Sequence, residues 1–531
     1  MNPTNPEPST VVPVMAHDPR GVALEAMARV AVEPTGIVRF ATSGGVLVIG
    51  EDEHAVAFAA GLPHPLKPMV ALLDAAAPVP APQGLQVFEA QRHGFELEGH
   101  LGDFRARLRQ GGEMAAFDLV VDFSSPPLFE EDWSRLGYHA EKPAPGGHEE
   151  LVRALVDEVG EFEKPRFFRY DPDLCVRGRS GLTGCNRCVQ ACPAGAITGL
   201  AERIEVDPYL CQGGGICATV CPGGALQYTY PGIADSIERL RRLVQAFGEA
   251  GGSDPELLIH DGESVPDIAS LRQNLLPYAV EEVPAVGMEF WLTALAFGIR
   301  AVHLDPSRRL AADSRRALEV QLSNTSALLE GLGFPPGVVG WHGEGEGGAM
   351  PAIQAAAYGA PGDKREILFM ALDHLVKALA DAAPEVVALP ASAPLGEILV
   401  DANRCTLCVS CATVCPRGAV TAEEGRPALV FFEARCVQCG LCEQACPEHA
   451  ITLGPRLVTA REQRDRRRVL HEEAPFECIR CGKPFATRSS IEGVLARLEG
   501  HSMFDGDQQR QRLRMCGDCR VIDMMQEGGP M

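Results

Sequence analysis

At 531 residues the chain is too long for one core, and roughly 150 residues per domain predicts three or four. An apolar content of 46% with 22% charged residues excludes a fibrous or wholly disordered chain. A net charge of −23 excludes a nucleic-acid-binding surface over most of the molecule and favours partners that present basic faces.

Residues 1–20, rich in Pro, Ser and Thr at the outset, read as a flexible tail. They lack the basic segment and continuous apolar run of a secretory signal, so a cytoplasmic protein is expected. Residues 21–162 read as an N-terminal α/β domain, with strands at GVLVIG (45–50) and FDLVVDF (117–123) and a helix in EDEHAVAFAAGL. No GxGxxG turn follows GVLVIG, so no dinucleotide site is assigned there. A cysteine-rich block occupies 163–232. Residues 233–395 follow as a middle domain with a helix at 237–250 and strands at LLIHD, YAVEEV, IRAVHL and GVVGWH. Helical patterns in MEFWLTALAFG and SRRALEVQLSNTSALLEGLG lie between these strands, which predicts a doubly wound parallel sheet. Segments 347–363 and 382–396 read as loops or linkers. The most apolar stretch, 287–304, is broken by Glu289, Gly298 and Arg300, so no membrane span is expected. His260, Asp261, Glu281 and Glu282 fall at strand ends, where α/β ligand sites form. The chain has no P-loop, nucleophile elbow or HExxH helix, and no catalytic residue is assigned.

Nineteen cysteines in a reducing compartment point to metal ligation, not disulfides. In 396–456, CTLCVSCATVCP and CVQCGLCEQACP both read CxxCxxCxxxCP. Such a run gives three thiolates to one 4Fe–4S cube and sends the fourth to its neighbour. Crossed ligation assigns Cys405, Cys408, Cys411 and Cys446 to one cube and Cys436, Cys439, Cys442 and Cys415 to the other. The short strands in EILVD, GAVTA and HAITL complete a ferredoxin-like repeat around the pair.

The earlier block departs from this pattern twice. Its first ligand is displaced to Cys175 by an inserted loop before Cys185, Cys188 and Cys192, and in LCQGGGICATVCP a glycine, Gly214, stands at the second ligand position. Cys175, Cys185, Cys188 and Cys221 still make a complete cube site, while Cys211, Cys217 and Cys192 are left as three thiolates. That second site suits a 3Fe–4S cluster, a cube with a solvent or substrate ligand, or no durable cluster.

Residues 457–531 form a C-terminal module with Cys478, Cys481, Cys516 and Cys519 in two CxxC pairs, the donor set of a zinc-ribbon-like structural zinc or of a rubredoxin-like iron. The basic run RDRRR (464–468) reads as a solvated helix face or a docking face for an acidic partner or RNA.

EFEKPRFFRYDPDLC, LCQGGGICATVCP, CTLCVSCATVCPRGA, ARCVQCGLCEQACPEHAI and FECIRCGKPFA together carry a resemblance over 165–525. The chain resembles the multidomain bacterial polyferredoxins that accompany molybdenum formate dehydrogenases and related redox complexes. The resemblance implies relay of single electrons between redox partners, a formate dehydrogenase among them, and a cysteine where Gly214 stands. The alternatives are an iron–sulfur oxidoreductase subunit with its own flavin or substrate site in the middle domain, and a redox-sensing or assembly factor.

Overall fold

The computed structural model describes residues 18–527 apart from 34, 77–78, 109–111, 142–147, 263–269, 307–309, 344–346, 360–361 and 505. Residues 1–17 of the expected tail therefore lie outside the described residues. The chain enters through helix α1 (Pro19–Ala28), whose first turn is capped by the Asp18 carboxylate accepting from the Arg20 amide at 3.2 Å.

In the N-terminal module, five parallel strands run in the order Gln86–Ala90, Lys67–Leu73, Gly45–Gly50, Leu119–Asp122 and Tyr138–Ala140. The central strands are continuous apolar runs because both faces are covered. Val46 and Val48 pack with α2 (Glu53–Ala60) and α3 (Glu149–Asp157), whereas Leu47 and Ile49 pack with a small antiparallel sheet that includes Phe104 and Phe117. The expected strand at 117–123 is split between these two sheets. Asp118 breaks it, because its carboxylate turns away to accept from the amides of Ser43 and Gly45, each at 2.8 Å. Strand Ile37–Thr42 pairs antiparallel with Gly160–Pro165 and closes the module.

The first cysteine block holds two short antiparallel pairs, Phe168–Tyr170 with Leu226–Tyr228 and Ile197–Gly199 with Ile204–Val206. The helices α4 (Arg187–Ala191) and α5 (Ile216–Thr219) lie between them in sequence. The inserted loop folds as its own hairpin, Gly178–Arg179 on Leu182–Thr183.

Helix α6 (Ile233–Glu249) opens the middle module, followed by α7 (Met288–Ala296), α8 (Ala312–Gly331) and α9 (Lys364–Leu379). Four parallel strands run in the order Leu275–Val280, Glu256–Asp261, Val302–Asp305 and Val339–Trp341. The first of these starts ahead of the expected YAVEEV because it is an edge strand, where Pro277 forfeits no ladder bond. Every residue of α7 is buried, as its all-round apolar sequence requires. Helix α1 packs along α6, with Ala23 and Met27 sharing a core with Leu240 and Leu243. It therefore belongs with the middle module and not with the N-terminal sheet that follows it in the chain.

The second cysteine block contains α10 (Ser410–Thr413) and α11 (Leu441–Gln444) between two three-stranded sheets. One has Ile451–Val458 between Val386–Ala388 and Gly396–Val400; the other has Ala428–Phe431 between Val420–Ala422 and Arg468–Glu472. Helix α12 (Arg461–Asp465) links these sheets. The basic run is only partly solvated: Asp465, Arg466 and Arg467 are exposed, but three of its arginines are ion-paired within the chain. Arg464 is 2% exposed and pairs with Asp373, Arg467 pairs with Glu423, and Arg468 pairs with Glu397. A hairpin, Pro475–Glu477 with Pro484–Thr487, then leads into α13 (Arg488–Arg497), α14 (Asp507–Leu513) and α15 (Gly517–Glu527). Among the described residues, no helix is long and apolar enough to cross a membrane.

Phe290, fully buried on α7, anchors the middle core. Truncation to alanine is expected to cost about 3–5 kcal/mol, read as an earlier chemical-denaturation transition of this module; a midpoint unchanged from the parent would count against the packing described.

Candidate metal centres and their order

The ligand loops owe their shape to paired left-handed residues. Leu407 and Val409 have φ of 53° and 56°, and Gln438 and Gly440 have φ of 53° and 79°. A side chain in this region costs roughly 1–2 kcal/mol, and the return is an inward-facing amide. The Leu407 amide points at the Cys405 sulfur and the Gln438 amide at the Cys436 sulfur. The Gln438 side chain adds a donor to Cys436 at 3.2 Å, and the Ala450 amide donates to Cys446 at 3.3 Å.

Cys405, Cys408, Cys411 and Cys446 line one cavity, roofed by Leu407 and Ile451. Cys175, Cys185, Cys188 and Cys221 line another, beside Tyr170. Cys436, Cys439, Cys442 and Cys415 act electrostatically on one another, as do Cys192, Cys211 and Cys217. Burial, then the charges of its neighbours, pushes Cys188 and Cys411 up to about 12 and Cys439 up to about 11. Thiols this desolvated stay protonated on their own, and a bound metal is what holds such groups as thiolates. Converging buried sulfurs with amides aimed at them are a donor set that fits iron–sulfur cubes.

The loop bearing Gly214 has the same build as the two intact loops. Gly213 and Gly215 have φ of 87° and 69°, and the Gly213 amide points at the Cys211 sulfur. Burial raises the Cys192 thiol against the amides of Ala196, Ala194, Gly195 and Ile197, which favour its thiolate. No sulfur stands at position 214. The nearest atoms to a Cβ placed there belong to the Trp133 ring of the N-terminal module, at 3.0 and 3.2 Å.

Each group acts electrostatically on the next. Cys442 is raised by burial and, after its own partners, by Cys411 of the neighbouring set. Cys439 is raised by burial, by Cys436 and Cys415, and then by Cys185 across the junction between the two modules. Cys217 is raised by burial, by Cys211 and Cys192, and then by Cys188 and Cys221. At the junction, the Leu441 side chain fills the space where a Cβ on Gly184 would sit, 2.9 Å from its Cγ. Only glycine allows this approach.

Two neighbouring residues of α9 hold the junction. Lys364 Nζ donates to the carbonyls of Ala218 and Thr219 at 2.7 and 2.9 Å, closing the end of α5. Arg365, 5% exposed, donates to the carbonyls of Pro394, Ala434 and Cys436 at 2.8–3.2 Å. Neither residue stands out in the sequence. The available signal is the apolar spacing of Ile367, Leu368, Ala371, Leu372 and Leu375 behind an Asp363 cap.

At the C-terminus, the sulfurs of Cys478, Cys481, Cys516 and Cys519 all lie within 4.8 Å of one another. Burial opposes ionisation of Cys478, but the amides of Cys516, Arg480 and Cys481 outweigh it and hold this thiol below its usual range. The Thr487 hydroxyl ties this module to the second ferredoxin-like block through the Thr406 carbonyl, at 3.1 Å. His260 and Asp261 end one strand of the middle sheet, and Glu281 and Glu282 directly follow the end of its parallel neighbour, at the carboxyl edge. His260 is turned back onto the Asp261 carbonyl at 3.0 Å, and burial raises the Glu281 carboxyl.

Residues 156–225 and 404–451 each match a model of the 4Fe–4S dicluster domain. With the sulfur geometry, these matches mark two ferredoxin-type domains built to bind iron–sulfur clusters. Among known proteins the chain is similar to a component of the ion-translocating oxidoreductase complex of Azoarcus sp. (strain BH72), 41% identical over 77 residues. That match covers 12% of this chain and spans 38% of the relative's length.

Two outcomes are expected from this geometry. Arg365→Met strands three buried carbonyls and is expected to cost about 2–4 kcal/mol, seen as earlier unfolding and iron release from the second cysteine block; retention of iron at the parental denaturant midpoint would contradict the clamp. Cys478→Ser is expected to lower the metal content by the one ion that the Cys478/Cys481/Cys516/Cys519 set can hold, as read by elemental analysis.

Proposed function

We propose that the chain is a polyferredoxin whose clusters stand in one row, held in turn by Cys405/Cys408/Cys411/Cys446, Cys415/Cys436/Cys439/Cys442, Cys175/Cys185/Cys188/Cys221 and Cys192/Cys211/Cys217. The observation that carries this reading is the approach of Cys439 to Cys185, with Leu441 seated against Gly184. It joins two dicluster modules that the sequence sets far apart. Clusters of this kind supply one-electron exchange, with potentials set by charge, hydrogen bonds to sulfur and exposure.

The chain supplies order and insulation. Cys408 is exposed, which makes the first set the face presented to a partner, whereas the sets at the junction are covered by Leu441 and Tyr170. The partner we infer is an oxidoreductase complex in the cytoplasm. The name of the Azoarcus relative supports a complex of that kind, and the sequence resemblance supports formate dehydrogenase as its enzyme. Zinc is the ion we assign to the closed Cys478/Cys481/Cys516/Cys519 set, because a four-thiolate site without an open position suits a structural ion.

The test is to break the row at its centre. In rapid mixing with a protein-sized reductant confined to the Cys408 face, Cys439→Ala is expected to slow reduction of the Cys175–Cys221 cluster by about tenfold or more, through loss of the intervening step. An unchanged rate would sink the ordering. Iron of about one atom or fewer per chain after anaerobic reconstitution would sink the electron-transfer reading itself.

A further inference from the structure

The three-thiolate set at Cys192, Cys211 and Cys217 is constructed, not decayed. Its loop keeps the left-handed pair at Gly213 and Gly215 and the amide aimed at Cys211, the two features that the intact loops share. A loop released from cluster binding has no reason to hold that shape, since each inward amide needs an anionic acceptor to offset its loss of water. What differs is the corner. The Trp133 ring stands 3.0 Å from where the Cβ of a fourth ligand would begin, with Pro193 Cγ at 3.6 Å.

Trp133 is not there by chance packing of a loose loop. Its amide donates to the Pro193 carbonyl at 3.1 Å, directly after Cys192, and the next residue's carbonyl accepts from Gln212 Nε2 at 2.9 Å, directly after Cys211. Around it, Arg135 is paired with Glu131 at 2.6 Å and lies 3.6 Å above the Phe129 ring, which stiffens the segment on both sides of the indole. Lys164 of the same module donates to the Tyr209 and Cys211 carbonyls at 2.6 and 2.8 Å. These contacts fasten the N-terminal module to the loops of this set. An indole offers a donor and a flat apolar face but no lone pair for iron.

We propose that this site holds a 3Fe–4S cluster and that Trp133, supplied by the N-terminal module, closes the corner a fourth iron would occupy. The inference rests on the reading that Cys192, Cys211 and Cys217 bind a cluster at all. A reduced three-iron core and one ferrous ion combine into an oxidised cube with no net gain or loss of electrons, so conversion needs only access for the ion and a ligand for it. Trp133 denies both.

The experiment uses the full chain, purified without oxygen and oxidised with a dye. Parent protein is expected to hold about 15 iron atoms, three cubes plus one three-iron cluster, and to show one half-spin resonance signal per chain that oxidised cubes lack. After reduction, incubation with ferrous ion and reoxidation, the parent and Trp133→Phe are expected to keep that signal, whereas Trp133→Ala loses it. Gly214→Cys alone is expected to retain it, and Gly214→Cys combined with Trp133→Ala to abolish it while iron rises to about 16. Parent protein with about 16 iron atoms and no signal, or with about 12, would overturn the three-iron assignment while leaving the other three clusters standing. Loss of the signal in parent and Trp133→Ala alike would overturn the role of Trp133.

Discussion

Two adjacent cations at the start of α9 decide how the metal-binding parts of the chain meet. Lys364 closes the carbonyl end of α5 in the first block, and Arg365 reaches the Pro394, Ala434 and Cys436 carbonyls around the second. Cations at the first turn of a helix oppose its dipole, so α9 does not carry them for its own stability. Asp363 offsets part of that cost, accepting from the Arg365 and Glu366 amides at 2.6 and 3.3 Å. Burial lowers the Arg365 guanidinium to about 10, and the charge of Cys436 works in the opposite direction. A guanidinium this enclosed is tolerable only because carbonyls surround it, and those carbonyls gain a charged donor in return.

The cysteine blocks themselves are poor in ordinary core. In the second block four of the eleven buried residues of the cluster are cysteines, Cys411, Cys436, Cys442 and Cys446, beside side chains such as Ile398, Phe431 and Ile451. Modules of this size rarely fold on apolar burial alone and need a further cross-link. Thiols raised by burial, such as Cys405 and Cys411, around a cavity are an unfavourable arrangement until metal binds, which makes metal loading part of folding. The large apolar core lies instead in the middle module, and it extends into the first block through Ala191, Ile216 and Val220. The middle module is therefore the scaffold on which α9 presents its two cations.

Ligand spacing was legible in the sequence because thiolates for one cube must come from a tight turn, and the turn writes itself as CxxCxxC. The strands at 45–50 and 257–261 were legible because continuous apolar runs bounded by turns admit little else. Three features were hidden for a common reason, namely that tertiary contacts create them. Asp118 splits a run that reads as one strand, since its carboxylate is recruited by amides from another segment. Helix α1 follows its packing on α6 and ignores its neighbour in sequence. Trp133 is one aromatic in a polar loop, and nothing in its surroundings along the chain connects it to a glycine in another module. Basic runs mislead in the opposite direction: RDRRR reads as free charge, yet Arg464 is buried against Asp373 while Arg467 and Arg468 reach Glu423 and Glu397.

The seating of Leu441 against Gly184 joins segments made at opposite ends of synthesis. On the ribosome, the first block emerges and can fill with iron while α9 and the second block have yet to appear. During that interval the two cysteine sets of the first block have each other as neighbours but lack the sets that Leu441 later brings against Gly184. On the proposed reading, the full row comes into being only when the last third of the protein docks, so a chain truncated before α9 would lack both the second pair of sets and the clamp that seats it.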